Sequence, residues 1–161
     1  MYNTDLNKNK TYYTNDNIVS FLETISDEQK KRESYQLLQL MSEISGEEPK
    51  MFGSSIIGFG KYKYIYDSGH AGEAPLIGFS PRKHAFSLYV YYGSESQKNL
   101  LSKLGNFKTG KTCIYVKTLC DLELEILTKI IQETIEFLSR KYERIHPAND
   151  QLNKPLRIAK Q

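Results

Sequence analysis

The chain has 161 residues, of which 39% are hydrophobic, 12% aromatic and 25% charged, and its formal net charge is +3. This mixture is too apolar and aromatic for a disordered chain, and charges interrupt every apolar run that could otherwise span a membrane. The length suits one domain with a core large enough to need neither disulfides nor a structural metal.

The first residues, Met1 to Asn17, contain no apolar run of the signal-peptide kind, so a cytoplasmic location is expected. Residues 1–14 read as a flexible N-terminal segment and residues 15–145 as a single α+β domain. Asn15 or Asp16 caps a short helix with Ile18, Val19, Phe21, Leu22 and Ile25 on its apolar face. Ser26-Asp27-Glu28-Gln29 then has capping-box form and opens a second helix. That helix carries Leu37, Leu38, Met41 and Ile44 at helical spacing and stops at Ser45-Gly46, with Pro49 beyond.

The period then changes to two. Ser55 to Phe59 reads as a strand, Lys61 to Tyr66 as a second with its tyrosines on one face, and Asp67-Ser68-Gly69 as a turn. Pro75 to Phe79 is a third strand, Ser80-Pro81-Arg82-Lys83 a turn, and His84 to Tyr92 a long fourth strand. In that strand Phe86, Leu88 and Val90 share one face and Ser87, Tyr89 and Tyr91 the other. A helix from Glu95 to Leu104 ends at Gly105, a strand runs from Thr112 to Thr118, and Asp121 opens a last helix. Leu124, Leu127, Ile131, Ile135 and Leu138 form its apolar stripe. The tail from His146 to Gln161 lacks periodicity and reads as mobile. Hairpin-length turns between consecutive strands predict an α+β domain, an antiparallel sheet with helices packed on one face.

Charge is unevenly distributed. Residues 1–50 hold 6 Lys/Arg and 9 Asp/Glu, residues 51–118 hold 9 and 3, and seven of the twelve tyrosines lie in that basic middle. Cationic side chains beside tyrosines suit an anionic ligand, so Tyr62, Tyr64, Arg82, Lys83, Lys108 and Lys111 are the candidate binding residues. Arg82 offers a planar donor fork, and Pro81 suits the turn that carries it. A net charge of only +3 argues against a general nucleic-acid binder. Ser80 lacks a flanking glycine pair and a nearby relay, which speaks against a hydrolase. The expected role is a binding domain with no catalytic residue; an enzyme using Arg82, Lys83 and His70 or His84 is the weaker reading.

Other motifs carry less. Gly105-Asn106-Phe107-Lys108-Thr109-Gly110-Lys111-Thr112 matches the phosphate-loop pattern by letter, but that chemistry needs a strand before the loop and a helix after it, and the expected order here is reversed. No nucleotide is therefore expected. Cys113 and Cys120 match no zinc spacing, and Cys113 sits in an apolar run where a buried thiol is the ordinary reading. His70 with Glu73 makes at most a two-ligand metal site. Glu43, Glu47 and Glu48, with Asp27, Glu28 and Glu33, could offer oxygen ligands, although such residues usually form a solvated helix face.

A family resemblance joins these motifs. The stretch Glu47 to Gly60, reading EEPKMFGSSIIGFG, is followed by Tyr62-Lys63-Tyr64, Ser68-Gly69 and Gly78-Phe79-Ser80-Pro81-Arg82-Lys83. Downstream come Leu104-Gly105, Lys108-Thr109-Gly110-Lys111, Cys113-Ile114-Tyr115 and Leu119-Cys120-Asp121. Over residues 17–140 this series resembles the YdhG-like family of bacterial domains of unknown function, with Phe52 where tryptophan is typical. The resemblance implies a compact α+β domain. Some relatives are described as frataxin-like, which implies an alternative, an iron carrier for cofactor assembly; the family supplies no ligand positions, and the acidic residues Glu43, Glu47 and Glu48 read above are the candidates for that role.

Overall fold

The computed structural model describes residues 11–145. Residues 1–10 and the tail 146–161 lie outside the described residues. The chain forms an α+β domain of four helices and two antiparallel sheets among those residues.

Both N-terminal helices begin on a side-chain cap. Helix α1 (Ile18–Glu23) is capped by Asn17, whose side chain accepts from the Ser20 amide at 2.9 Å, rather than by Asn15 or Asp16. Helix α2 (Glu28–Ser45) uses Asp27, which accepts from the Lys30 amide, so the first free amides are satisfied one residue later than the Ser26 capping box predicts. Gly46, at φ 68°, ends α2 in the left-handed conformation that the sequence assigns to it.

The main sheet has six strands in the order β1-β2-β5-β6-β8-β7. These are β1 (Pro49–Phe52), β2 (Ile56–Phe59), β5 (Ile77–Pro81), β6 (Phe86–Tyr89), β7 (Lys108–Thr109) and β8 (Ile114–Val116). A second sheet, in the order β4-β3-β9, joins β3 (Lys61–Ile65), β4 (Ala71–Ala74) and β9 (Glu143–Ile145). Four of these strands, β1, β4, β7 and β9, are absent from the sequence reading. The expected fourth strand of nine residues is also only four long.

Register explains where the core lies. Met51, Ile57, Phe79, Leu88 and Ile114 stand opposite one another across five strands, and each is essentially buried. Leu22 of α1, Leu37 and Met41 of α2, and Leu127, Ile130 and Ile131 of α4 (Leu124–Lys141) close over this row without exposed surface. Each such side chain contributes about 1.5–3 kcal/mol relative to an exposed one. Helices α1, α2 and α4 thus pack against this face of the large sheet.

Helix α4 starts at Leu124, not Asp121. Residues Leu119–Asp121 form a 3-10 turn first, because their backbone is already engaged: the Asp121 carbonyl accepts from Asn106, and the Glu123 amide donates to Leu104. Gly105 lies against this turn at φ 126°, and a side chain there would put its Cβ 1.9 Å from the Asp121 carbonyl oxygen. Helix α3 (Glu95–Leu101) precedes it, capped by Ser94.

Both edges of the large sheet are short or occupied. Residues 12–14 pair along β1: Tyr13 bridges Phe52, the Thr14 amide donates to the Met51 carbonyl, and the Gly53 amide donates to the Tyr12 carbonyl. On the far side, β7 has two residues, both exposed. The small sheet is fastened beside β1 and β2. Arg144 of β9 meets Glu47 at 2.8 Å, and the Tyr13 hydroxyl donates to the Gly60 carbonyl. No helix among the described residues is long and apolar enough to cross a membrane.

Candidate ligand-binding face

The face of the large sheet opposite the helices is set by the alternate residues. Gly58, Gly78 and Tyr89 lie in one cross-strand row, and Ser80, Ser87, Tyr115 and Lys108 in the next. Lys50, Phe52 and Ile56 belong to the same face. Among these described strand positions there is no carboxylate.

The middle of this face is low because its residues are small. Ser80 and Ser87 are buried, the Ser80 hydroxyl donating to the Ser55 carbonyl at 2.6 Å. Gly78 is required by the backbone, since a Cβ there would lie 2.7 Å from the Ile57 carbonyl oxygen. Gly58 is already roofed: a Cβ there would meet the Tyr13 hydroxyl at 2.6 Å and Pro75 at 2.9 Å. Over Gly78 the roof stops, leaving a cavity of about 300 Å³. Phe52 and Tyr89 of the large sheet line it, with Tyr91 and Tyr92 just after β6, Tyr62 and Ala74 of the small sheet, and Thr134 and Leu138 of α4 (Leu124–Lys141) at its helical end. None of its lining residues is charged.

Arg82 does not line this cavity and meets it through the lining residue Tyr89. The turn after β5 closes with the Arg82 amide donating to the Ala85 carbonyl at 3.0 Å. Lys30 of α2 reaches that turn from the helical side and donates to the carbonyls of Arg82 and Lys83. The Arg82 guanidinium donates to the Tyr89 hydroxyl at 3.3 Å, which pushes its already high pKa further up. Tyr115, two strands from Gly78, is 40% exposed. Its pKa is raised chiefly by the charge Cys113 would carry, and then by a hydrogen bond to that side chain. Cys113 is half-exposed, so the buried thiol expected from its apolar run is not what forms.

The six sequence-predicted binding residues therefore separate. Arg82 and Lys108 belong to the uncovered face, with Tyr89 and Tyr115 as their aromatic partners. Lys83 is exposed in the turn, where its carbonyl, not its side chain, is the part engaged by Lys30. Lys111 lies at the exposed tip of the β7–β8 hairpin, closed by the Gly110 amide on the Cys113 carbonyl at 2.9 Å.

Tyr62 and Tyr64 belong to the small sheet, where Tyr62, Tyr64 and Tyr66 form a ladder with centroids 6.3 and 5.1 Å apart. Tyr142 stacks on Tyr62 at 4.9 Å and His70 on Tyr66 at 6.0 Å. Burial raises the pKa of Tyr62. This ladder borders a second cavity of about 390 Å³, which shares Phe52, Tyr62 and Ala74 with the first. Tyr89 and Tyr115 escaped the sequence reading because tyrosines at i and i+2 are common on any half-buried strand. The alternation in Phe86 to Tyr92 was the available signal.

The remaining motifs resolve into structural roles. Lys108 and Thr109 of the phosphate-loop match form β7, with helix before and strand after, so no helix N-terminus faces that loop. Glu33 is buried and accepts from Thr118 and from the Leu119 amide, which holds the 3-10 turn. Glu47 pairs with Arg144, and Glu43 accepts from Gln39 at 3.0 Å. Among the described residues no three His, Cys, Asp or Glu side chains gather as a metal site, so Glu43, Glu47 and Glu48 are not brought together as ligands. Glu73 pairs with Lys61 at 3.3 Å rather than with His70.

No protein-family model, curated protein or solved structure matches the chain.

Proposed function

We propose that the domain is a binding module that takes an anionic small molecule on the uncovered face of its large sheet, with Arg82 and Lys108 supplying charge and Tyr89 and Tyr115 supplying contact area. The observation that carries this reading is the absence of any carboxylate from the described strand positions of that face, combined with Arg82 held over it by Tyr89. A guanidinium with remaining N–H groups directed from a fixed side chain is a planar anion receptor. Membership of the YdhG-like family belongs to the same proposal and rests on the motif series alone.

The test is a thermal-shift comparison of the wild type and the Arg82→Gln/Lys108→Gln double variant against inorganic phosphate, benzoate and adenosine monophosphate. A ligand at a hundred times its Kd adds about 2.7 kcal/mol, which raises the midpoint of a chain this size by about 5–10 °C. The expected result is a shift for at least one anion that the double variant loses. No shift with any of them, or an equal shift in the variant, overturns the reading.

A further inference from the structure

We infer that the ligand is an aromatic monocarboxylate of one or two rings, its ring body seated in the cavity over Gly78 and its carboxylate on Arg82. This inference rests on the anion-binding reading above and adds the chemical class. Three features of the structure lead to it.

The first is the composition of the cavity. Its walls combine Phe52, Tyr62, Tyr89, Tyr91 and Tyr92 with uncharged residues, so its interior favours an apolar, planar body and penalises burial of a charge. The second is size. At about 300 Å³ it lies at the lower end of the range of small-molecule sites, which admits a one- or two-ring body rather than a nucleotide.

The third feature is the junction between cavity and charge. Tyr89 lines the cavity, and its hydroxyl is the acceptor of the Arg82 guanidinium, so the cation stands one side chain away from the apolar space. Arg82 itself is exposed and its turn is pinned by Lys30, so its charge is positioned without being buried. A single planar fork matches a carboxylate, whose two oxygens accept parallel N–H bonds. A free phosphate would use the fork and leave the cavity unfilled.

Calorimetric titration of the full chain with benzoate and 1-naphthoate, their neutral amides, and inorganic phosphate tests the class. The carboxylates are expected to bind at least tenfold more tightly than either the amides or phosphate. Arg82→Gln should erase the preference for carboxylate over amide. Ala74→Leu, which fills the cavity from β4, should weaken both rings and leave phosphate unchanged. Thr112→Leu fills the same cavity from the exposed β7–β8 hairpin and gives the same reading if Ala74→Leu does not fold.

If phosphate binds through Arg82 as tightly as the aromatic acids, the anion site stands and the aromatic class fails. If the carboxylates bind but Ala74→Leu and Thr112→Leu leave them unaffected, the seat in the cavity fails. If acids and amides bind equally and Arg82→Gln changes nothing, or if nothing binds, both readings fail.

Discussion

Two sheets in this molecule present tyrosines, and they use them in opposite ways. In the large sheet, Tyr89 and Tyr115 stand apart on an uncovered face beside Arg82 and Lys108, and the opposite face is sealed by helices. In the small sheet, Tyr62, Tyr64 and Tyr66 contact one another and Tyr142, and the nearby charges are paired off, Lys61 with Glu73 and Arg144 with Glu47. The same residue type thus stands beside cations in one sheet, which is the surface proposed above for recognition, and packs against other rings in the other. Composition alone cannot separate these uses.

The largest effect expected from breaking this contrast is in the core under the large sheet. Phe79→Ala should destabilise the fold by about 3–5 kcal/mol in chemical denaturation, because a fully buried ring leaves a void between sheet and helices. Next, Glu47→Gln should cost about 2 kcal/mol by removing the charged acceptor of the Arg144 Nη2 group, on a guanidinium whose buried Nε already lacks a partner. Limited proteolysis of that variant should cut first around β3, β4 and β9 if the pair is what fastens the small sheet.

Tyrosine ionisation gives a third, smaller contrast. Burial, reinforced by Glu47, raises the Tyr13 pKa well above its usual 10. Between pH 10 and 12 the unfolded chain therefore releases this proton while the folded chain keeps it, and stability falls with rising pH, by at most about 1.4 kcal/mol per unit. Ultraviolet titration should show Tyr13 and the half-buried Tyr62 ionising later than tyrosine in the unfolded chain. At the bottom of the scale, Tyr66→Ala should change stability by less than about 0.5 kcal/mol, since its ring is 58% exposed. A larger loss would mean that the ladder is a structural unit of the small sheet.

Much of the architecture was legible because local rules acted alone. The Asp27 region and Gly46 bracket α2 with a cap and a left-handed stop, and alternation in Phe86 to Val90 assigns the core face correctly. Illegible elements depend on partners distant in sequence. Strand β4 is Ala-Gly-Glu-Ala, with little strand preference of its own, and forms because β3 offers it an edge. The three residues of β9 do the same on the other side of β3.

The start of α4 moved because Leu104 and Asn106 had already engaged the backbone of residues 121–123. Of the site, Arg82 and Lys108 were readable as cations in a basic region. That Tyr89 rather than Tyr62 accompanies Arg82 needed the register of β5 and β6.

An open sheet face with aromatic side chains is ordinarily a hazard, because free strand edges invite another copy to continue the ladder. Here growth is stopped from both directions. The β1 side is taken by Tyr12 to Thr14 of the same chain, and the β7 side offers two residues, one of them a lysine. The exposed aromatic surface of the large sheet is thus its flat and not its hydrogen-bonding rim, which leaves a second copy little of that edge to extend.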